Sequence, residues 1–138
     1  MNEFGLENIK KRLRDLEASI GVWQSWTPAL TGFSALPAII EARYCLFGKL
    51  CYAVFRSSAG TSDSTTFRVP APLTCAAGAP RTFNSLGFYN SGAVTRYGYG
   101  YVRIMPGEDI FVLVPGESTA WASSGDKAAA FQIFYEVE

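Results

Sequence analysis

The chain contains no histidine, so acid–base or nucleophilic chemistry would have to come from its carboxylates. Without an imidazole, Ser-His-Asp and Cys-His machinery is excluded, and so are the commonest metal ligand and the usual pH switch. Outside the N-terminal segment the acids are Glu41, Asp63, Glu108, Asp109, Glu117, Asp126, Glu136 and Glu138. Glycoside hydrolysis needs two of them facing each other across a cleft. The adjacent pair, Glu108 and Asp109, sits in "PGED", where turn chemistry accounts for acids without a function. Asp63 in "TSDST" and Asp126 in "SSGDK" lack the closely spaced oxygen donors that calcium wants. No glycine-rich segment leads into a helix, which removes the nucleotide-phosphate motifs. The expectation is a chain with no catalytic residue, no metal and no cofactor. Cys45, Cys51 and Cys75 are an odd count at irregular spacing and read as buried free thiols. A tight turn at Gly48-Lys49 would put Cys45 and Cys51 on opposite sheet faces, which argues against a bridge and fits folding in a reducing cytoplasm.

Binding is the chemistry the remaining residue types suit. In "RYGYGYVR", Tyr97, Tyr99, Tyr101 and Arg103 would share one strand face, and Gly98, Gly100 and Val102 the other. Glycine weakens a strand, so its alternation with tyrosine asks for a reason. Either bulky groups fill the glycine face while the tyrosines pack, or an exposed tyrosine ladder offers ring faces and hydroxyls to sugars. Trp121, in "STAWASSGDK", stands among small polar residues. Exposed, it would be a sugar-stacking platform beside Ser123, Ser124 and Asp126; buried, it would plug the end of the domain. The candidate ligand-binding residues are Trp121 first, then Asp126, then Tyr97, Tyr99 and Arg96.

Two kinds of element must carry these residues. The first is a helix. Leu6, Ile9, Leu13, Leu16, Ile20 and Trp23 recur in alternating steps of three and four, a heptad seam with Leu6, Leu13 and Ile20 at a. The other faces are charged. So narrow a seam on so short a helix needs a partner. Arg12 at g and Glu17 at the following e meet with opposite charges across chains in a parallel assembly. The run from Arg12 to Glu17 resembles the short motif of parallel trimeric coiled coils. The expected trimerisation residues are Leu6, Ile9, Arg12, Leu13, Leu16, Glu17 and Ile20. The alternative is an amphipathic helix lying on its own β domain. Gly21 marks the expected helix end.

The second kind is the strand. After Gly21 the apolar period becomes two. "SWTPAL", the hairpin "EARYCLF-GK-LCYAVFRSS", "TFRVPAPL", "RTFNSLGFYNSG", "AVTRYGYGYVRI", "IFVLV" and "AFQIFYEVE" read as strands. "SAGTSDSTT" and "STAWASSGDKAA" read as loops. The predicted class is mainly β: a jelly-roll-like antiparallel β-sandwich over residues 23–138, preceded by a short coiled-coil helix over residues 1–22. "IFVLV" and the last strand are apolar on both faces, Phe134 lying opposite Phe131, Ile133, Tyr135 and Val137; such surplus surface suits a subunit interface. The composition agrees: 49% hydrophobic, 14% aromatic and only 17% charged residues in 138 favour sheet over bundle. Zero net charge argues against nucleic acid. No apolar run reaches the roughly 20 residues of a membrane helix, and no secretory signal is expected.

In order and wording, "W-x-x-W-T-P-A-L-T-G", "A-R-Y-x-x-x-G-K-L", "T-F-x-V-P", the "PGE" turn and the terminal aromatic strand resemble phage virion modules. These are the small trimeric β-sandwich domains of tail fibres, baseplate receptor-binding proteins and head or tail accessory proteins. Residues 26–32 and 42–50 carry most of the likeness. The resemblance implies a non-enzymatic homotrimer located in the virion and made in the host cytoplasm. It implies attachment to other virion proteins through the N-terminal helix, and a surface that recognises host-surface glycan or decorates the particle. The competing readings are a free-standing carbohydrate-binding module and a small glycan hydrolase.

Overall fold

The computed structural model describes residues 3–19, 21–91, 95–116 and 121–138; side chains are described for these apart from 3–4, 17–19, 89–91 and 95–99. The described chain is mainly β, with one N-terminal helix and a curled antiparallel sheet. Helix α1 (Glu3–Ser19) is followed by strands β1 (Gln24–Ser25), β2 (Phe33–Ala35), β3 (Ile39–Phe47), β4 (Leu50–Ser57) and β5 (Gly60–Ser62). β6 (Phe67–Pro70), β7 (Thr82–Ser91), β8 (Thr95–Ile104), β9 (Ile110–Val114) and β10 (Asp126–Glu136) complete the order. Gly21 takes a left-handed φ of 70°, as expected after a helix C-terminus.

The main path of the sheet runs β1-β3-β4-β10-β7-β8-β9-β6, with β5 on β10 and β2 on β5. The β3–β4 hairpin closes on Gly48-Lys49, Phe47 facing Leu50. Gly48 has φ 62°, a conformation that costs a side-chain-bearing residue more than glycine. Two loop expectations are corrected. Within "SAGTSDSTT", Gly60–Ser62 forms β5 between β2 and β10. The last strand begins at Asp126 rather than near Phe131, because Lys127 and Ala129 continue its inward face. Conversely, "SWTPAL" is extended only at its threshold, β1 ending at Ser25.

The core lies in the concavity of the curl. β9 is three positions from β10 along the sheet, yet Phe111 meets Phe131 at 5.3 Å and Tyr135 at 5.4 Å. Only a rolled sheet brings those faces together. Trp26 spans the roll: its backbone N donates to Ala42 O at 3.1 Å on β3. Its indole Nε1 donates to Pro70 O at 3.0 Å on β6. The bridge between Thr31 and Arg68 adds a second tie. Gly100 shows how tight the roll is: a Cβ there would sit 1.9 Å from Val114 O. Backbone itself, rather than bulky side chains, fills the space beside this glycine.

All three cysteines are free and buried. Cys45 pairs across β3–β4 with Tyr52 and Cys51 with Leu46, so the two thiols occupy opposite faces. Burial raises each thiol pKa, Cys51 to about 11, which leaves them unreactive near neutrality.

Candidate functional site

Trp121 is not an exposed platform. It is 2% exposed, its ring packs on Phe67 at 5.2 Å and Phe88 at 5.5 Å, and Nε1 donates to Leu113 O at 3.0 Å. The polar stretch around it hid the reason. Its backbone N donates to Thr65 O, which turns the ring inward under the β9 side of the roll. Asp126 is exposed at the start of β10, registered with Thr61, so the two leading candidates are separated by the sheet surface. Arg96, Tyr97 and Tyr99 lie on β8, their backbones registered with Asn90, Tyr89 and Gly87; their side chains fall outside the described residues. Of the seam, Ile20 and the Glu17 side chain also fall outside them.

Two surfaces, each only partly anticipated by the sequence through Phe134 and through Tyr101 and Arg103, stand beside these candidates. The first is the outer face of β3, β4 and β10. Tyr52 stacks on Phe134 with centroids 4.3 Å apart, and Trp23 joins Tyr52 at 5.6 Å. Arg43 lies over the Trp23 ring at 4.2 Å and pairs with Glu41 at 2.6 Å. Trp23 is 41% and Phe134 48% exposed, with Phe47 and Leu50 beside them also exposed. The signal for this face was Phe134, apolar on the wrong side of the last strand.

The second is a groove of about 270 Å³ on the β6–β9–β8 side, lined among others by Thr65, Thr66, Arg68, Tyr101, Arg103 and Val112. Its arginines come from strands far apart in sequence, so only the pairing of β6 and β8 with β9 reveals it.

Lys127 is the most unusual ionisable group. It is 0% exposed. Its Nζ donates to Thr66 O at 2.7 Å and Ser64 O at 3.1 Å, with the Phe33 ring 4.7 Å away. Burial lowers its pKa to about 8, with Asp63 acting the other way. Gly32, at φ 92°, allows the approach: a Cβ there would lie 2.9 Å from Thr66 O and 3.2 Å from Nζ. Enclosed and bonded to two carbonyls, the amine clamps the loop between β5 and β6 and has no open side for a substrate. Among the described residues, no group of three or more His, Cys, Asp or Glu side chains could hold a metal, and no helix is long and apolar enough to cross a membrane.

No protein-family model, curated protein or solved structure matches the chain. The likeness to phage virion modules rests on its short sequence motifs.

Proposed function

We propose that the chain is a non-catalytic structural subunit: a parallel homotrimer of the phage-virion kind, joined through α1, with its β domain as a tail or receptor-binding component facing host-surface saccharide. In this reading the curled sheet is a jelly-roll-like sandwich and α1 a coiled-coil strand that also meets other virion proteins. The protein is made in the host cytoplasm and resides in the virion.

One observation carries the proposal. Leu6, Ile9, Leu13 and Leu16 are between 40% and 54% exposed, and among the described residues no strand packs along α1. An amphipathic helix resting on its own domain would bury that seam. A groove of about 550 Å³ follows Ile9, Arg12, Leu13, Asp15 and Leu16, its described lining residues all on the helix, a seam that a second helix's side chains could fill. The exposed face at Trp23, Tyr52 and Phe134 begins where the chain leaves the helix, so copies joined through α1 bring these faces close to one another. The virion assignment comes from the motif resemblance, and saccharide recognition from the same source.

Light scattering tests the central claim. Native mass should be three times that of the chain, and Leu13→Asp with Leu16→Asp should reduce it to one. A monomeric wild-type protein at micromolar concentration would overturn the proposal. The carbohydrate-binding module remains the second reading, favoured by the groove described above; a monomer that binds glycan would select it.

A further inference from the structure

Three adjacent strands line up one outward row. Arg68 of β6 and Arg103 of β8 both register with Val112 of β9, one from each side. With strands about 4.8 Å apart, the arginine Cα atoms are about 10 Å apart, close enough for both guanidiniums to reach one group above Val112. Tyr101, two residues from Arg103, registers with Val114 in the next row, and its ring meets the exposed Phe83 edge-on at 5.8 Å. Thr65 and Thr66 add hydroxyls to the same groove, and no carboxylate appears among the described residues of its lining.

The arginines are the telling feature. Arg43, elsewhere on the sheet, is neutralised by Glu41 and covers an indole ring. Neither Arg68 nor Arg103 forms an ion pair among the described residues. Two positive charges on one face give the groove a potential that attracts an anion. Guanidinium groups are suited to two-pronged recognition of carboxylate or phosphate. The aromatic pair and the valine floor suit the apolar face of a sugar ring, and the threonines its hydroxyls. We propose that this groove binds an acidic saccharide, its carboxylate or phosphate held between Arg68 and Arg103 and its ring against Tyr101. The inference rests on the saccharide-facing reading above and adds the ligand's charge. At about 270 Å³ the groove falls below the usual range for drug-sized ligands and takes one unit of a longer chain. Repetition over three copies supplies avidity to a shallow site.

Calorimetric titration of the full chain with a galacturonate oligomer, a phosphorylated galactose oligomer and a neutral galactose oligomer tests it. At least one acidic oligomer should bind, and more tightly than the neutral one. Arg68→Gln and Arg103→Gln should each weaken that binding at least tenfold, while Arg56→Gln leaves it within twofold and all three variants keep the wild-type melting curve. Preference for the uronate assigns carboxylate, and preference for the other assigns phosphate. Failure of both acidic oligomers to bind, or binding indifferent to both arginines, overturns the proposal. A neutral oligomer that binds as tightly as both acidic ones also overturns it while leaving saccharide recognition standing. A monomeric mass would sink the trimer without touching the groove.

Discussion

Helix α1 and strand β10 are the two most regular apolar patterns in the chain, and they meet opposite fates. β10 turns Ala129, Phe131, Ile133 and Tyr135 into the roll, each 5% exposed or less. α1 leaves its whole described seam in solvent. Periodicity alone does not distinguish a face that the chain buries from one that it leaves half exposed. The difference lies in neighbours. β10 has β4 and β7 along its edges and β9 above its inner face, whereas among the described residues no strand packs along α1. Hydrophobic stabilisation follows area removed from water, so β10 stabilises the fold directly, while the half-exposed α1 seam contributes less than its apolar content would if covered.

Substitutions can break or sharpen this contrast, beginning with the largest effect. Trp121→Ala should cost about 3–5 kcal/mol, the range for truncating a buried aromatic, measured by chemical denaturation. A loss below about 1 kcal/mol would mean that the ring is not part of the core. Gly100→Ala comes next, because its methyl group would collide with the Val114 carbonyl; overpacking of this kind costs about 1–3 kcal/mol. An unchanged melting point would show that β8 and β9 can separate there.

Lys127→Met should cost about 1–3 kcal/mol by stranding the Ser64 and Thr66 carbonyls. This site also has a pH signature. Its folded pKa, about 8, lies below the ordinary 10.5, so between these values the unfolded chain binds more protons. Lys127 therefore adds stability as pH rises from about 8 towards 10.5. The wild type should gain on Lys127→Met over that interval, and parallel pH profiles would contradict the assigned burial. The smallest effect belongs to the seam: Leu13→Asp with Leu16→Asp should alter the intrinsic stability of the β domain by no more than about 0.5 kcal/mol, as exposed positions do. Near-ultraviolet dichroism of the aromatic core checks this. Collapse of that signal would mean that α1 supports the sheet from within the same chain.

The candidate site was less legible than the fold, and Trp121 shows why. Its sequence neighbours are small and polar, which describes the loop but not what lies across the roll. Arg68 on β6 and Arg103 on β8 have the whole of β7 between them in sequence, and no local pattern connects them. Phe134 did announce itself, as an apolar residue on the outward side of an otherwise alternating strand.

What the sequence determined by itself is local. It set the seam of α1, the Gly48-Lys49 turn, the inward and outward alternation of β4, β9 and β10, and the placement of Cys45 and Cys51 on opposite faces. Each follows from the fixed periods of helix and strand and from backbone sterics near glycine. The tertiary structure decided everything that depends on non-local pairing. It drew "GTS" into β5, extended β10 back to Asp126 over a buried lysine, turned Trp121 inward and set two arginines around Val112. Those outcomes depend on which surfaces the curl brings together, and the free energy of burial counts neighbours in space rather than in sequence.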